Sequence, residues 1–215
     1  MFGLKQKTLL ALLLGVSQLG VWHIADAYID TTSRILIFQS KATMLGKLTT
    51  SSASALENAD AICSQDAHCL SHNCVAMIAY PGVRQPAVDG KQDAIGWVLF
   101  ADKPYVNIYG QTVGTTNHNG VFNFNLKNLD YAVIKESSDT AWTGFYTDWT
   151  VSASNCSNWT RDWENRDDDD KCNATAGDVK SISSTMLSVK NASCGGYTKR
   201  SLYCVNTSPI TDSTV

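Results

Sequence analysis

Hydrophobic residues arrive in short, separated groups along this chain, and their spacing predicts most of the elements. RILIF (Arg34 to Phe38) is a β-branched apolar run and predicts an opening strand. After a polar stretch, Ser54-Ala55-Leu56-Glu57 fits a capping box, in which the serine oxygen and the glutamate carboxylate satisfy amides left open at a helix start. Leu56, Ala59, Cys63 and Ala67 then recur at helical spacing, which predicts an amphipathic helix ending near Ala67 with Cys63 on its buried face. A turn-rich stretch, YPGVRQPAVDGKQD (Tyr80 to Asp93), punctuates the chain. Beyond Gly96 the groups become β-like: GWVLF, PYVNIYG, and Val121 to Leu126, where apolar and polar residues alternate as in a half-buried strand. Asn119-Gly120 marks a turn between them. AWTGFY and RSLYCV (Arg200 to Val205) predict further strands. One early strand, one or two helices and many short strands with long loops make an α+β pattern, and no internal repeat or heptad period competes with it.

The N-terminus places the chain in a compartment. Lys5 and Lys7 precede the apolar run Leu9 to Val16, and Ala25-Asp26-Ala27 follows, the order expected of a secretory signal peptide over residues 1–27. The apolar run is shorter than the roughly 20 residues that cross a bilayer, so no membrane span is expected. The expected product is secreted, extracellular or periplasmic, with a short linker at 28–33, a single domain at 34–206 and a flexible tail at 207–215. Composition adds two points. A formal net charge of −3 with 17% charged residues gives no electrostatic footprint for nucleic acid. All seven cysteines lie beyond the signal, and in an exported chain they read as a disulfide framework with one cysteine over.

Seven segments in order resemble a bacterial family of exported proteins catalogued as domain of unknown function 1554. They are Gly46-Lys47-Leu48, Asn58 to Cys63, Gly96-Trp97-Val98-Leu99, Gly114-Thr115-Thr116-Asn117, Ala141-Trp142-Thr143-Gly144, Asn155 to Thr160, and Leu202-Tyr203-Cys204. That family is in turn similar to endostatin and the C-type lectin-like superfamily. The resemblance implies a compact α+β domain with a twisted antiparallel sheet, one or two flanking helices and long loops. It also implies that Cys63 pairs with Cys204 and Cys156 with Cys194. Cys69, Cys74 and Cys172 depart from the pattern. A local Cys69 to Cys74 bridge is the simplest pairing and leaves Cys172 over, while bridges from Cys172 to either partner stay open.

Candidate chemistry is sparse. His68-Cys69-x-x-His72-x-Cys74 places two imidazoles at helical i and i+4 beside two thiols, a set able to hold zinc tetrahedrally, against the reading of a disulfide flanked by surface histidines. Asp167, Asp168, Asp169 and Asp170 offer the carboxylate oxygens that calcium prefers, although four consecutive aspartates read more readily as a solvated acidic loop. No Glu-Pro-Asn or Gln-Pro-Asp triplet occurs, which counts against calcium-mediated sugar binding of the superfamily's kind. Five Asn-x-Ser/Thr triplets, at Asn155, Asn158, Asn173, Asn191 and Asn206, read as chance products of the composition, since the resemblance implies a bacterial source. Among the tryptophans, Trp142 and Trp159 read as core, whereas Trp149 and Trp163 have polar neighbours and read as surface candidates for ligand contact. No nucleophile elbow, phosphate loop or dinucleotide fingerprint is present. The expectation is a non-enzymatic, adhesin-like binding module with no required cofactor. Its ligand would be an extracellular protein or a glycan, met by loops between Ala101 and Asn119 and between Thr147 and Ala176. A metal-binding protein using His68 and His72, and a carboxylate-dependent hydrolase, are the alternatives.

Overall fold

Strand β8, Ser201–Asn206, is buried along its whole length, and the other elements are arranged about it. A computed structural model of the chain describes residues 34–70, 72–134, 140–161, 172–195 and 199–208. Its other elements are β1 (Ile35–Gln39), helix α1 (Ala55–Ser64), β2 (Cys74–Ala76), β3 (Pro104–Val106), β4 (Thr112–Thr115), β5 (Thr140–Trp142), β6 (Asn173–Asp178), a 3-10 turn (Ser184–Met186) and β7 (Lys190–Ser193). The strands form one sheet in the order β4-β3-β1-β8-β5-β6-β7, and β2 also pairs with β8. Ser33–Val215 is one compact unit. Among the described residues, no helix is long and apolar enough to cross a membrane.

The sheet is mixed, not purely antiparallel. β1 runs parallel to β3 and β5 runs parallel to β8, while the remaining pairs are antiparallel. Both faces are covered, which explains why β1 and β8 read as continuous apolar runs: side chains alternate across a strand, and here each side meets a core. Ile35, Ile37, Tyr203 and Val205 join one core with Tyr105, Phe122, Phe145 and Trp149. Leu36, Phe38, Leu202 and Cys204 join the other with Ala59, Cys63, Trp142 and Trp159. Helix α1 covers that second face through Ala55, Ala59 and Cys63.

The helix begins where its capping box predicts. Glu57 N donates to Ser54 Oγ at 3.3 Å, and Ser54 N donates to the Glu57 carboxylate at 2.7 Å. The regular helix stops at Ser64, slightly short of Ala67, as Asp66 N turns back to Cys63 O. Three disulfides close the frame: Cys63 with Cys204, Cys69 with Cys74, and Cys156 with Cys194. They tie α1 to β8, the segment after α1 to β2, and the turn after Asn155 to the residue that follows β7.

Two expected strands are loops. GWVLF and Val121 to Leu126 pair with no strand; Val98, Leu99, Val121 and Phe122 are instead pressed onto the core from outside the sheet. Of the apolar residues in that run, Val121, Phe122 and Phe124 pack on the core, while Leu126 is exposed and its N closes a turn onto Asn123 O at 3.1 Å. PYVNIYG does supply a strand, β3, which pairs with β4 in a hairpin inside the stretch from Ala101 to Asn119, and the stretch from Thr147 to Ala176 contains the first four residues of β6. Within the second stretch stands a short left-handed turn, with φ of 53°, 53°, 58° and 62° at Cys156, Ser157, Asn158 and Trp159. Left-handed backbone costs an L-residue roughly 1–2 kcal/mol. The turn is held by the buried Trp159, whose Nε1 donates to Ala79 O at 2.7 Å, by Asn155, whose Oδ1 accepts from Asn158 N at 2.9 Å, and by the Cys156 disulfide.

Candidate binding cleft

Three separate segments meet over the outer face of the first core. The turn-rich stretch folds back on itself at Asp89-Gly90, with Val88 N bonded to Gln92 O at 2.9 Å. The Asn117 loop is closed by its own side chain: Asn117 Oδ1 accepts from Asn119 N at 2.9 Å and from Val121 N at 3.2 Å, an Asx turn. Gly120 sits in this loop at φ +67°, and a Cβ there would lie 2.5 Å from Leu99 O, so only glycine lets the loop approach the core. The third segment is the tight turn Tyr146 to Thr150, with Tyr146 N bonded to Thr150 O at 2.8 Å.

Trp149 ties the three together. It is only 4% exposed, which corrects the expectation of a surface tryptophan. Its polar sequence neighbours face outward while the indole fills an aromatic cluster, at 5.6 Å from Phe145 and 5.8 Å from Trp97, with Phe124 stacked on it at 6.1 Å and an interplanar angle of 11°. Its Nε1 donates to Phe122 O at 2.9 Å, so the indole dipole is satisfied in the interior. Gln92 joins the first and third segments, donating to Trp149 O at 3.3 Å and accepting from Val151 N at 3.1 Å.

The result is a cleft of about 290 Å³ lined by Asp89, Lys91, Asn119, Asn123, Phe124 and Trp149, among others. Lys91 Nζ bonds Asp148 Oδ2 at 2.5 Å, and Asn119 Nδ2 donates to Asp89 Oδ1 at 2.9 Å. Partial burial opposes ionisation of Asp148, but the bonds from Lys91 and Thr150 outweigh it and bring its carboxyl down to about 2. A carboxylate held there is ionised throughout the neutral range and is poorly matched to general acid-base work, which is most efficient near the operating pH. Asn123 and Asn125 are exposed at the rim, and among the described residues their side-chain amides engage no protein group. The cleft therefore offers amide donors and acceptors above an aromatic floor, an arrangement suited to recognising a polar molecule with apolar faces.

The other sequence candidates fall elsewhere. His68 Nδ1 lies 3.0 Å from Asp66 Oδ1 with its ring against Phe38, and His72 Nδ1 lies 3.4 Å from Ser64 O. Cys69 and Cys74 are bonded to each other, so their sulfurs are not thiolate ligands beside those imidazoles. The one group of sulfur, imidazole or carboxylate atoms that converges among the described residues is different: the sulfurs of Cys156, Cys172 and Cys194, all within 4.8 Å of one another. Cys194 N donates to Cys172 O at 2.9 Å, which brings Cys172 beside the Cys156–Cys194 bridge. Trp163 and Asp167 to Asp170 lie outside the described residues, as does the expected signal segment. The two loops expected to meet a ligand contribute Asn117, Asn119 and Thr147 to Trp149 to the lining, whereas sequence reasoning missed Asp89, Lys91, Asn123 and Phe124. For Asn123 and Phe124 the only signal is the interleaving of asparagine and phenylalanine from Asn117 to Asn128, which reads as a strand when taken alone; Asp89 and Lys91 lie in the turn-rich stretch Tyr80 to Asp93, which reads only as punctuation.

A disulfide-stapled α+β domain with a mixed sheet, one α-helix among the described residues, and loops that meet in a polar cleft with an aromatic floor is the class the structure defines. The chain belongs to the family described as protein of unknown function (DUF1554), whose pattern matches residues 46–181. The matched region contains every residue of the cleft and ends before β7 and β8. No curated protein matches the chain.

Proposed function

We propose that this is a secreted, non-enzymatic binding module that recognises a glycan through the cleft between Asp89, Asn123 and Trp149. The observation that carries this reading is the pairing of unengaged rim amides with an aromatic floor in one concave site. Saccharides present hydroxyls that amides and carboxylates bond well, and C–H faces that pack on aromatic rings. A cleft of this size suits a few sugar units better than the broad contact of a protein partner, which typically covers about 800 Å² on each side. The locked ion pair of Asp148 further favours binding over hydrolysis.

The test is an array carrying neutral and acidic saccharides together with extracellular matrix proteins, probed with purified chain lacking residues 1–27. Binding to saccharides, weakened at least tenfold by Asn125→Ala or Asp89→Ala in chains that unfold like the parent, supports the proposal. Binding only to matrix proteins, or saccharide binding that both substitutions leave intact, overturns it.

A further inference from the structure

A second cavity of about 190 Å³ adjoins the first, lined by Gly114, Thr115, Leu126, Lys127, Asn128 and Asp130 with Phe122 and Asn123. Phe122 and Asn123 line both cavities, so the two are neighbours across a single residue pair. Leu126 is 84% exposed beside the second cavity, an apolar side chain left in water. It is the most exposed large hydrophobic side chain among the described residues, ahead of Leu70 at 58%, and it borders a cavity that a ligand could fill.

The charges around the two cavities are already matched. Lys91 is bonded to Asp148 at 2.5 Å and Lys127 to Asp130 at 2.6 Å, so each lining lysine faces a carboxylate. The remaining lining carboxylate, Asp89, is held by the Asn119 amide. No lining cation is left over to receive an anionic group, and an acidic ligand would meet Asp89 uncompensated.

Resting on the glycan reading above, we infer that the two cavities form one groove for a linear, neutral oligosaccharide of at least two units, with Asn123 at the junction between them. One unit lies over Phe124 and Trp149, the next lies against Leu126 and Asn128, and the Asn123 amide serves both. Specificity for an uncharged chain follows from lysines that already face carboxylates and from the uncompensated Asp89 carboxylate, and specificity for length follows from the second cavity.

The experiment is titration calorimetry of the chain lacking residues 1–27 against the best saccharide of the array as its monomer, dimer, trimer and tetramer, and against an acidic counterpart of equal length. The expected result is at least a tenfold gain in affinity from monomer to trimer, and at least tenfold weaker binding of the acidic chain. Leu126→Ser and Asn128→Ala, both exposed and outside the first cavity, abolish the length gain while leaving monomer affinity unchanged. Asn123→Ala weakens every length. Equal affinity for monomer and trimer, a length gain that survives both substitutions, or tighter binding of the acidic chain overturns the groove while leaving single-site glycan recognition standing. Binding to no saccharide removes the functional reading and the groove together.

Discussion

Removing the three disulfides one pair at a time, as Cys→Ala pairs, should rank them by the length of chain each one closes. The bridged residues are separated by 141 positions for Cys63–Cys204, 38 for Cys156–Cys194 and 5 for Cys69–Cys74. A cross-link stabilises mainly by restricting the unfolded chain, and the cost of its loss grows with the logarithm of the loop, giving about 5, 4 and 2 kcal/mol respectively. All six cysteines are buried, so the packing lost with each pair of sulfurs is similar and the ranking isolates the loop contribution. Equilibrium unfolding in urea reads the difference. With a slope of about 2 kcal/mol per M, the midpoints should fall by about 2.5, 2 and 1 M in that order. A smaller loss for the Cys63–Cys204 pair than for the Cys69–Cys74 pair would refute the reasoning, because it would mean that local strain or residual structure, rather than chain restriction, governs these bridges.

Gly144→Ala should destabilise by about 2 to 4 kcal/mol, since the position has φ +69° and a Cβ there would lie 2.9 Å from Trp159 Cζ2; Gly110→Ala, at φ +72° with nothing within 4 Å, should lose only about 1 kcal/mol in the same urea assay. The Asp148 carboxyl should titrate near 2 by NMR, and Lys91→Met should raise that midpoint. Because its pKa is depressed in the folded chain, Asp148 contributes stability above the ordinary carboxylate value near 4, and that contribution is lost as pH falls through about 2. Cys156→Ser should yield a Cys172–Cys194 disulfide by peptide mapping, because the three sulfurs lie within 4.8 Å; a map without that bridge contradicts the convergence.

The sequence is legible where a local rule has a local answer. Ser54 and Glu57 mark the helix start because a capping box is complete within four residues, and β1 and β8 show as apolar runs because both their faces are buried. Legibility fails where an alternating pattern has two causes. Val121, Phe122 and Phe124 rest on the core while Asn123, Asn125 and Leu126 face water, yet no strand pairs with this segment, and periodicity carries no record of which backbone supplies the hydrogen bonds. Trp149 fails for a related reason: its polar neighbours describe the turn's outer side, while the indole is set by Phe122, Phe124 and Phe145. The cleft itself could not be read, because Asp89, Asn123 and Asp148 come from three segments joined only in the fold. The pairing of Cys63 with Cys204 and of Cys156 with Cys194 came from family resemblance, since spacing among seven cysteines leaves many arrangements open.

The proposed function places the ligand in the cleft bounded by Asp89, Asn123 and Trp149. Titrating the isotope-labelled chain with the best saccharide of the array, while following backbone, asparagine amide and indole N–H resonances, tests it most directly. Saturable shifts should concentrate at Asp89 to Lys91, Asn117 to Asn128 and Thr147 to Trp149, with the Trp149 indole N–H among them. Shifts centred instead on His68 to Cys74 or on the turn at Cys156, with these three segments unmoved, would contradict it.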